Sequence, residues 1–144
     1  MTTNNEALAD ALVTLFEAVG PGDEATVDAL HSHYHPDVLF TDPIQRAEGR
    51  DAFLDANRRL VRRTRVLSFT MHDRATTPDH IFLTWTMRLA MKLGPLLEET
   101  GVTHLKVRNG LVVEHRDHWD LTAFLTSALP GGRRLIRTAF KPFL

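Results

Sequence analysis

The sequence predicts an α+β fold, with helices gathered towards the N-terminus and laid over one face of an antiparallel sheet. Three observations predict it. Before Val61, apolar residues recur at spacings of three and four, the signature of helix faces. From Val66 onward they alternate with a period of two, the signature of strands with one buried side. Two such alternating runs flank Asn109-Gly110, the strongest short-range hairpin signal. Helices first and a strand meander afterwards make an α+β domain.

The elements follow in order. Asn4 to Val19 reads as a helix whose Leu8, Leu12, Leu15 and Phe16 share a face, stopped by Gly20-Pro21-Gly22. Asp23 caps a second helix expected to run to about Tyr34, with Val27 and Leu30 inward. Pro36-Asp37 turns the chain into a short strand ending at Asp42. Pro43 to Gly49 reads as a loop, and Arg50 to about Val61 as a third helix anchored by Phe53, Leu54 and Leu60. Val66 to His72 is the first long strand, with a turn over Thr76 to Asp79. Ile81 to Lys92 alternates strongly, until Gly94-Pro95 breaks it. Leu97 to Arg108 and Leu111 to Asp120 pair through the Asn109-Gly110 turn. The tail, residues 121–144, holds an apolar segment, a Pro130-Gly131-Gly132 break and a basic amphipathic end.

A chain of 144 residues suits one domain with a substantial core. Its apolar fraction of 43% and near-zero net charge of -1 are those of an ordinary soluble globule, with no field for nucleic acid or an acidic membrane. The absence of cysteine excludes disulfides, thiol catalysis and thiolate-bound metal. The first ten residues lack a basic stretch followed by an apolar core, and no apolar run reaches the ~20 residues that span a bilayer. A cytoplasmic protein is expected.

Two acids stand out. Asp42 closes Val38-Leu39-Phe40-Thr41-Asp42, and Asp117 shares an alternating face with Val113, His115 and Trp119. A carboxylate among apolar side chains is costly unless paired or hydrogen-bonded, so it points to a working pocket. Asp117 and Asp42 are candidates for a general acid/base pair, with His115 to orient the carboxylate or take the proton. The alternative is structural: Asp42 capping its loop, Asp117 paired with an arginine. Thr103 and His104 point to opposite faces, and alignment through the hairpin turns Thr103 into the pocket. Trp85, Met87, Leu89 and Trp119 suit pocket walls or plain core. His31, His33 and His35 diverge around a helix end and make a poor metal site, so no metal is expected. Gly131-Gly132 is a chain break and no phosphate loop.

Helix, helix, short strand, helix and then a curved meander resemble the nuclear-transport-factor-2-like superfamily. That group holds ketosteroid isomerases, SnoaL-like polyketide cyclases and limonene-epoxide hydrolases. The resemblance spans roughly residues 6 to 122. It is carried by Gly22-Asp23, by Tyr34-His35-Pro36-Asp37-Val38-Leu39-Phe40-Thr41-Asp42-Pro43, by Gly49, and by Asn109-Gly110-Leu111-Val112 running into Arg116-Asp117-His118-Trp119-Asp120. It implies a cone-shaped, curved antiparallel sheet covered by three N-terminal helices, the cystatin-like α+β barrel. It also implies an apolar pocket, a homodimer and chemistry without a cofactor.

Asp42 takes the position of the isomerases' proton-shuttling aspartate. Their tyrosine and protonated-aspartate donors correspond here to positions near Leu15 and Thr103, which cannot replace that pair in kind. Asp117 resembles the late-strand aspartate of the cyclases and epoxide hydrolases. The hydrolases' Arg-x-Asp is missing between Leu97 and Arg108. Substrate contacts are expected from Leu15, Phe16, Trp85, Met87, Leu89, Thr103 and Trp119. The resemblance implies an acid/base enzyme acting on a hydrophobic, oxygenated small molecule. Its alternatives are a non-catalytic binder of such molecules and a dimeric interaction module using the sheet face of Thr84, Thr86 and Arg88. The tail is expected to serve as a lid or a dimer-packing arm.

Overall fold

The structure, a computed structural model, describes residues 3–143. Helix α1 (Thr3–Ala18) and helix α2 (Glu24–Ala29) lead through a 3-10 turn (Leu30–His33) into strand β1 (Tyr34–Thr41) and the short strand β2 (Arg46–Glu48). Helix α3 (Arg50–Arg63) precedes a meander of β3 (Thr64–Thr76), β4 (His80–Met91), β5 (Leu97–Arg108) and β6 (Leu111–Trp119). Two helices end the chain, α4 (Leu121–Ser127) and α5 (Gly132–Phe140), followed by a 3-10 turn at Lys141–Phe143. The strands form one open, curved six-stranded sheet in the order β2-β1-β6-β5-β4-β3.

Local signals account for most boundaries. The Asp23 side chain accepts from Thr26 N at 3.0 Å and opens α2. Asn109 and Gly110 both take positive φ, 52° and 76°, as a tight turn matched to strand twist requires. The meander is antiparallel throughout, but β1 joins β6 in parallel, so the sheet is mixed at that seam.

Three expectations change. The second helix stops at Ala29, because Tyr34 pairs with Val112 of β6 and buries its ring in the core. The segment read as a loop after Pro43 contains β2, which pairs antiparallel with β1. Val113 does not share the inner side of β6. A bulge opposite Lys106 and Val107 shifts the alternation, so Val112 faces the core together with His115.

The core lies between the concave side of the sheet and the first three helices. Leu12, Tyr34, Phe53, Leu54, Ile81, Leu83 and Leu105 are essentially fully buried there. Helix α1 packs on β3, and α3 packs on β1 and α2. Burial of such side chains contributes about 1.5–3 kcal/mol each, which makes this layer the main source of stability. Among the described residues no helix is long and apolar enough to cross a membrane.

Candidate functional site

Two adjoining chambers lie on the concave side of the sheet. The inner chamber, about 70 Å³, reaches in beside Leu15, Phe16, Phe53, Thr103 and His115. The outer chamber, about 140 Å³, is bounded by Asp42, Gln45, Met87, Leu89, Trp119 and Phe124. Phe40, Asn57, Leu60, Phe69, Trp85 and Asp117 border both. The partition thus carries one carboxylate, Asp117, and one amide, Asn57, among apolar walls.

Register explains how the strands deliver polar groups to this place. Thr103 of β5 lies directly opposite Asp117 of β6, and Leu83 of β4 lies opposite Thr103. His115 and Asp117, two apart on one strand, project to the same side. Thr103 Oγ1 donates to Asp117 Oδ1 at 2.6 Å. His115 Nε2 lies 2.9 Å from the same oxygen. Trp85 Nε1–H donates to Thr103 Oγ1 at 2.9 Å. On the far side of the imidazole, Tyr34 Oη lies 2.9 Å from His115 Nδ1. Five side chains from four strands therefore form one continuous hydrogen-bonded chain, with Asp117 Oδ1 as its common acceptor.

Burial gives that chain its weight. Tyr34 is 0% exposed, and Trp85, Thr103 and His115 are each 4% exposed. A polar group so enclosed costs about 1–3 kcal/mol when left without a partner. Here each of these four groups has one. Asp117 retains access to the chambers, with 21% of its side chain exposed. Among the described residues its second oxygen, Oδ2, makes no hydrogen bond, and it is not a sealed atom. Burial, and then the negative charge of Asp117, push the Tyr34 phenol well above its ordinary range, so it keeps its proton.

Asp42 has different surroundings. Its Oδ1 accepts from the backbone N–H of Ile44 at 2.8 Å and of Gln45 at 2.9 Å. Its Oδ2 accepts from Gln45 Nε2 at 2.9 Å. Both oxygens hold the turn after β1, while the residue still borders the outer chamber.

The residues read from sequence as wall and site all touch one chamber or the other. Leu15, Phe16, Thr103 and His115 line the inner one, Met87, Leu89, Trp119 and Asp42 the outer, and Trp85 and Asp117 both. Tyr34 and Asn57 were not anticipated as site residues. Tyr34 is the only tyrosine of the chain, and one phenol at the edge of an expected helix carried no signal of a partner 81 positions away. Asn57 sits on the inner side of α3, where its Nδ2 donates one proton to Phe53 O at 2.9 Å.

His31 and His33 lie in the 3-10 turn and His35 in β1, where its Nδ1 accepts from Asp37 N at 3.0 Å. Among the described residues no group of three or more His, Cys, Asp or Glu could hold a metal ion. In the tail, Phe124 of α4 borders the outer chamber and packs on Trp119 with ring centroids 5.1 Å apart. Helix α5 lines neither chamber and packs on α4.

Known proteins give this geometry a context. The family model described as SnoaL-like domain matches residues 12–115. No curated protein matches the chain. Among solved structures, an LEH-like epoxide hydrolase of M. tuberculosis is 15% identical, with 97% of this chain and 98% of that one covered and a TM-score of 0.71. A candidate SnoaL-like polyketide cyclase of Jannaschia sp. CCS1 is 19% identical, covering 87% and 94%, with a TM-score of 0.72. A protein of ketosteroid isomerase-like fold from Catenulispora acidiphila, in complex with trimethylamine, is 16% identical, covering 85% and 93%, with a TM-score of 0.71. At such identities the likeness establishes the cone-shaped α+β fold and carries no activity with it.

Proposed function

Because this chain belongs to the SnoaL-like domain family, whose fold neighbours include an epoxide hydrolase and candidate cyclase and hydroxylase proteins, we propose that it is a small acid/base enzyme. Its substrate is a hydrophobic, oxygenated small molecule held in the paired chambers, and Asp117 moves the proton. One observation carries this reading. Asp117 stands at the partition of two apolar chambers with Oδ1 pinned by Thr103 and His115 and Oδ2 unbonded. A pinned carboxylate with one bare oxygen facing a guest is a positioned proton-transfer group.

The roles follow from the geometry. Asp117 exchanges the proton, and His115 and Thr103 hold its other oxygen still. Asn57 borders both chambers with an N–H and an Oδ1 beyond the bond to Phe53, suited to an oxygen of the guest. The aromatic and aliphatic walls, Phe16, Phe40, Phe69, Trp85 and Trp119 among them, select an apolar body. Asp42, engaged by its own loop, shapes the outer mouth and assists from there.

The test is Asp117→Asn, assayed against a panel of enolisable ketones and epoxides of apolar character. Any turnover shown by the natural protein should fall by about 10²–10⁴-fold, with the thermal midpoint kept. Turnover equal in both proteins would remove Asp117 from the chemistry. A second reading, a non-catalytic binder, is favoured by the small inner chamber and by Leu15 standing where a donor would be needed. In that case Asp117→Asn alters affinity and no product forms with either protein. We further propose a homodimer through the outer sheet face, where Phe82 and Val102 are 37% and 36% exposed beside Thr84, Thr86 and Arg88.

A further inference from the structure

We infer that Tyr34 is a positioning residue: its hydroxyl holds His115 uncharged with the ring proton on Nε2, so that Asp117 rests as a lone carboxylate whose Oδ2 is free to take a proton. This rests on the reading of Asp117 as the proton-transfer group, and it adds the direction in which the first proton moves.

The argument is one of matching donors to acceptors. An ionised carboxylate only accepts, a neutral imidazole has one N–H and one bare nitrogen, and a phenol donates once. Thr103 Oγ1 accepts from Trp85, so its own proton is free for Asp117 Oδ1. His115 Nε2–H donates to that same oxygen. Nδ1 is then bare and accepts the Tyr34 O–H. Every proton meets an acceptor, and both relays point towards Asp117.

The competing arrangements each leave a fault. With the proton on Nδ1, a bare Nε2 would face a carboxylate oxygen, acceptor against acceptor. With both ring nitrogens protonated, Nδ1–H would turn the phenol into an acceptor. Its own proton would then point into an interior where no other partner for it exists among the described residues.

The groups packed around His115 are Phe16 of α1, Tyr34 and Phe40 of β1, Phe53 of α3 and Asp117 of its own strand. Asp117 is the one charge among them. It alone would draw a second proton onto the imidazole. The Tyr34 hydroxyl, by donating to the bare Nδ1, occupies the one ring position where that proton could sit.

The consequence concerns chemistry. A guest bearing an acidic C–H gives its proton to Oδ2: the C–H bond breaks, an O–H bond forms, and the electron pair stays on the guest as an enolate. His115 cannot relieve Asp117 of that proton, because Nε2 already carries one and Nδ1 is occupied. The proton on Oδ2 can then leave only towards the chambers that Asp117 borders.

The experiment reads ring nitrogens in the ¹⁵N-labelled full chain, with no substrate present and His115 assigned through the signals that vanish in His115→Gln. The natural protein should show, at about pH 7, one protonated nitrogen, Nε2, and one bare, Nδ1. Tyr34→Phe keeps the ring stacked on Phe53, 4.5 Å between centroids, and removes only the hydroxyl. It should move the Nδ1 signal to that of a bare nitrogen without a hydrogen bond, with the proton still on Nε2. A proton on Nδ1 in the natural protein, two ring protons at that pH, or an identical Nδ1 signal in both proteins would each overturn the inference. If the variant fails to fold, the pattern in the natural protein decides alone. Asp117→Asn turnover is a separate measurement, so either reading can fail while the other stands.

Discussion

Asp42 and Asp117 look alike in the sequence, each an acid within an apolar strand pattern, and neighbours alone tell them apart. Asp42 spends both oxygens on the turn it belongs to. Asp117 spends one oxygen on Thr103 and His115 and leaves the other to the chambers. Histidines separate in the same way. His115 is buried in the aromatic interior, whereas His104 lies on the outer sheet face, stacked on Phe82 at 4.4 Å and bonded to His80 at 2.9 Å. Partial burial, and then the charge of His80, hold His104 below its ordinary value of 6.5. The sign is therefore fixed. Below about pH 6.5 the unfolded chain binds a proton that the folded chain refuses, so stability falls as pH drops through that window. The depressed carboxyls of Asp23 and Glu24 act only lower, below their ordinary values of 3.8 and 4.5. Urea midpoints compared between about pH 7 and about pH 5 should decline less steeply for His104→Gln than for the natural protein. Equal slopes would place the loss elsewhere.

The β5–β6 hairpin is the element on which the site depends. Asn109-Gly110, with positive φ values, closes a two-residue turn and pairs Arg108 with Leu111 and Val107 with Val112; the bulge that follows shifts the count by one and brings Thr103 opposite Asp117. The turn was legible in the sequence, because Asn-Gly between two alternating runs is a strong signal, but the count from it alone would set Thr103 opposite Arg116. The bulge opposite Lys106 and Val107 was not legible, since an extra residue leaves no mark in an alternating pattern already broken by polar residues. Gly101 shows how tightly β4 and β5 are joined. It lies across from both Trp85 and Trp119. A Cβ there would come within 2.5 Å of Trp85 Cζ2 and 2.8 Å of the His118 carbonyl oxygen. Trp85 is only 4% exposed and cannot swing aside freely. Gly101→Ala should therefore cost about 1–3 kcal/mol and draw the indole off Thr103. A lowered denaturation midpoint with a shifted tryptophan emission would show it, and an unchanged spectrum would contradict it.

At the scale of the whole molecule, the parallel seam between β1 and β6 matters most. It sets Phe40 beside His115 and carries the Tyr34 phenol to an imidazole 81 residues further along the chain. The outer face of the same sheet leaves Phe82 and Val102 half-covered, and the tail exposes Leu135, Phe140 and Phe143 at 72%, 54% and 84%. If the sheet face joins two copies, sedimentation should return twice the chain mass of 16.3 kDa, and Phe82→Glu should return the single mass. A single mass for the natural protein would end the dimer proposal and leave the chambers as they are.

The amino-acid sequence by itself determined the class of fold, the order of its elements, the hairpin turn and the identity of the acids worth following. Those properties are local, written in apolar periodicity and turn chemistry within a few residues of one another. Only the tertiary structure decided which acid keeps a bare oxygen, that Tyr34 stands behind His115, and that Asn57 borders both chambers. Those are long-range facts, settled where strands and helices distant in the chain are packed together and each enclosed donor must find an acceptor.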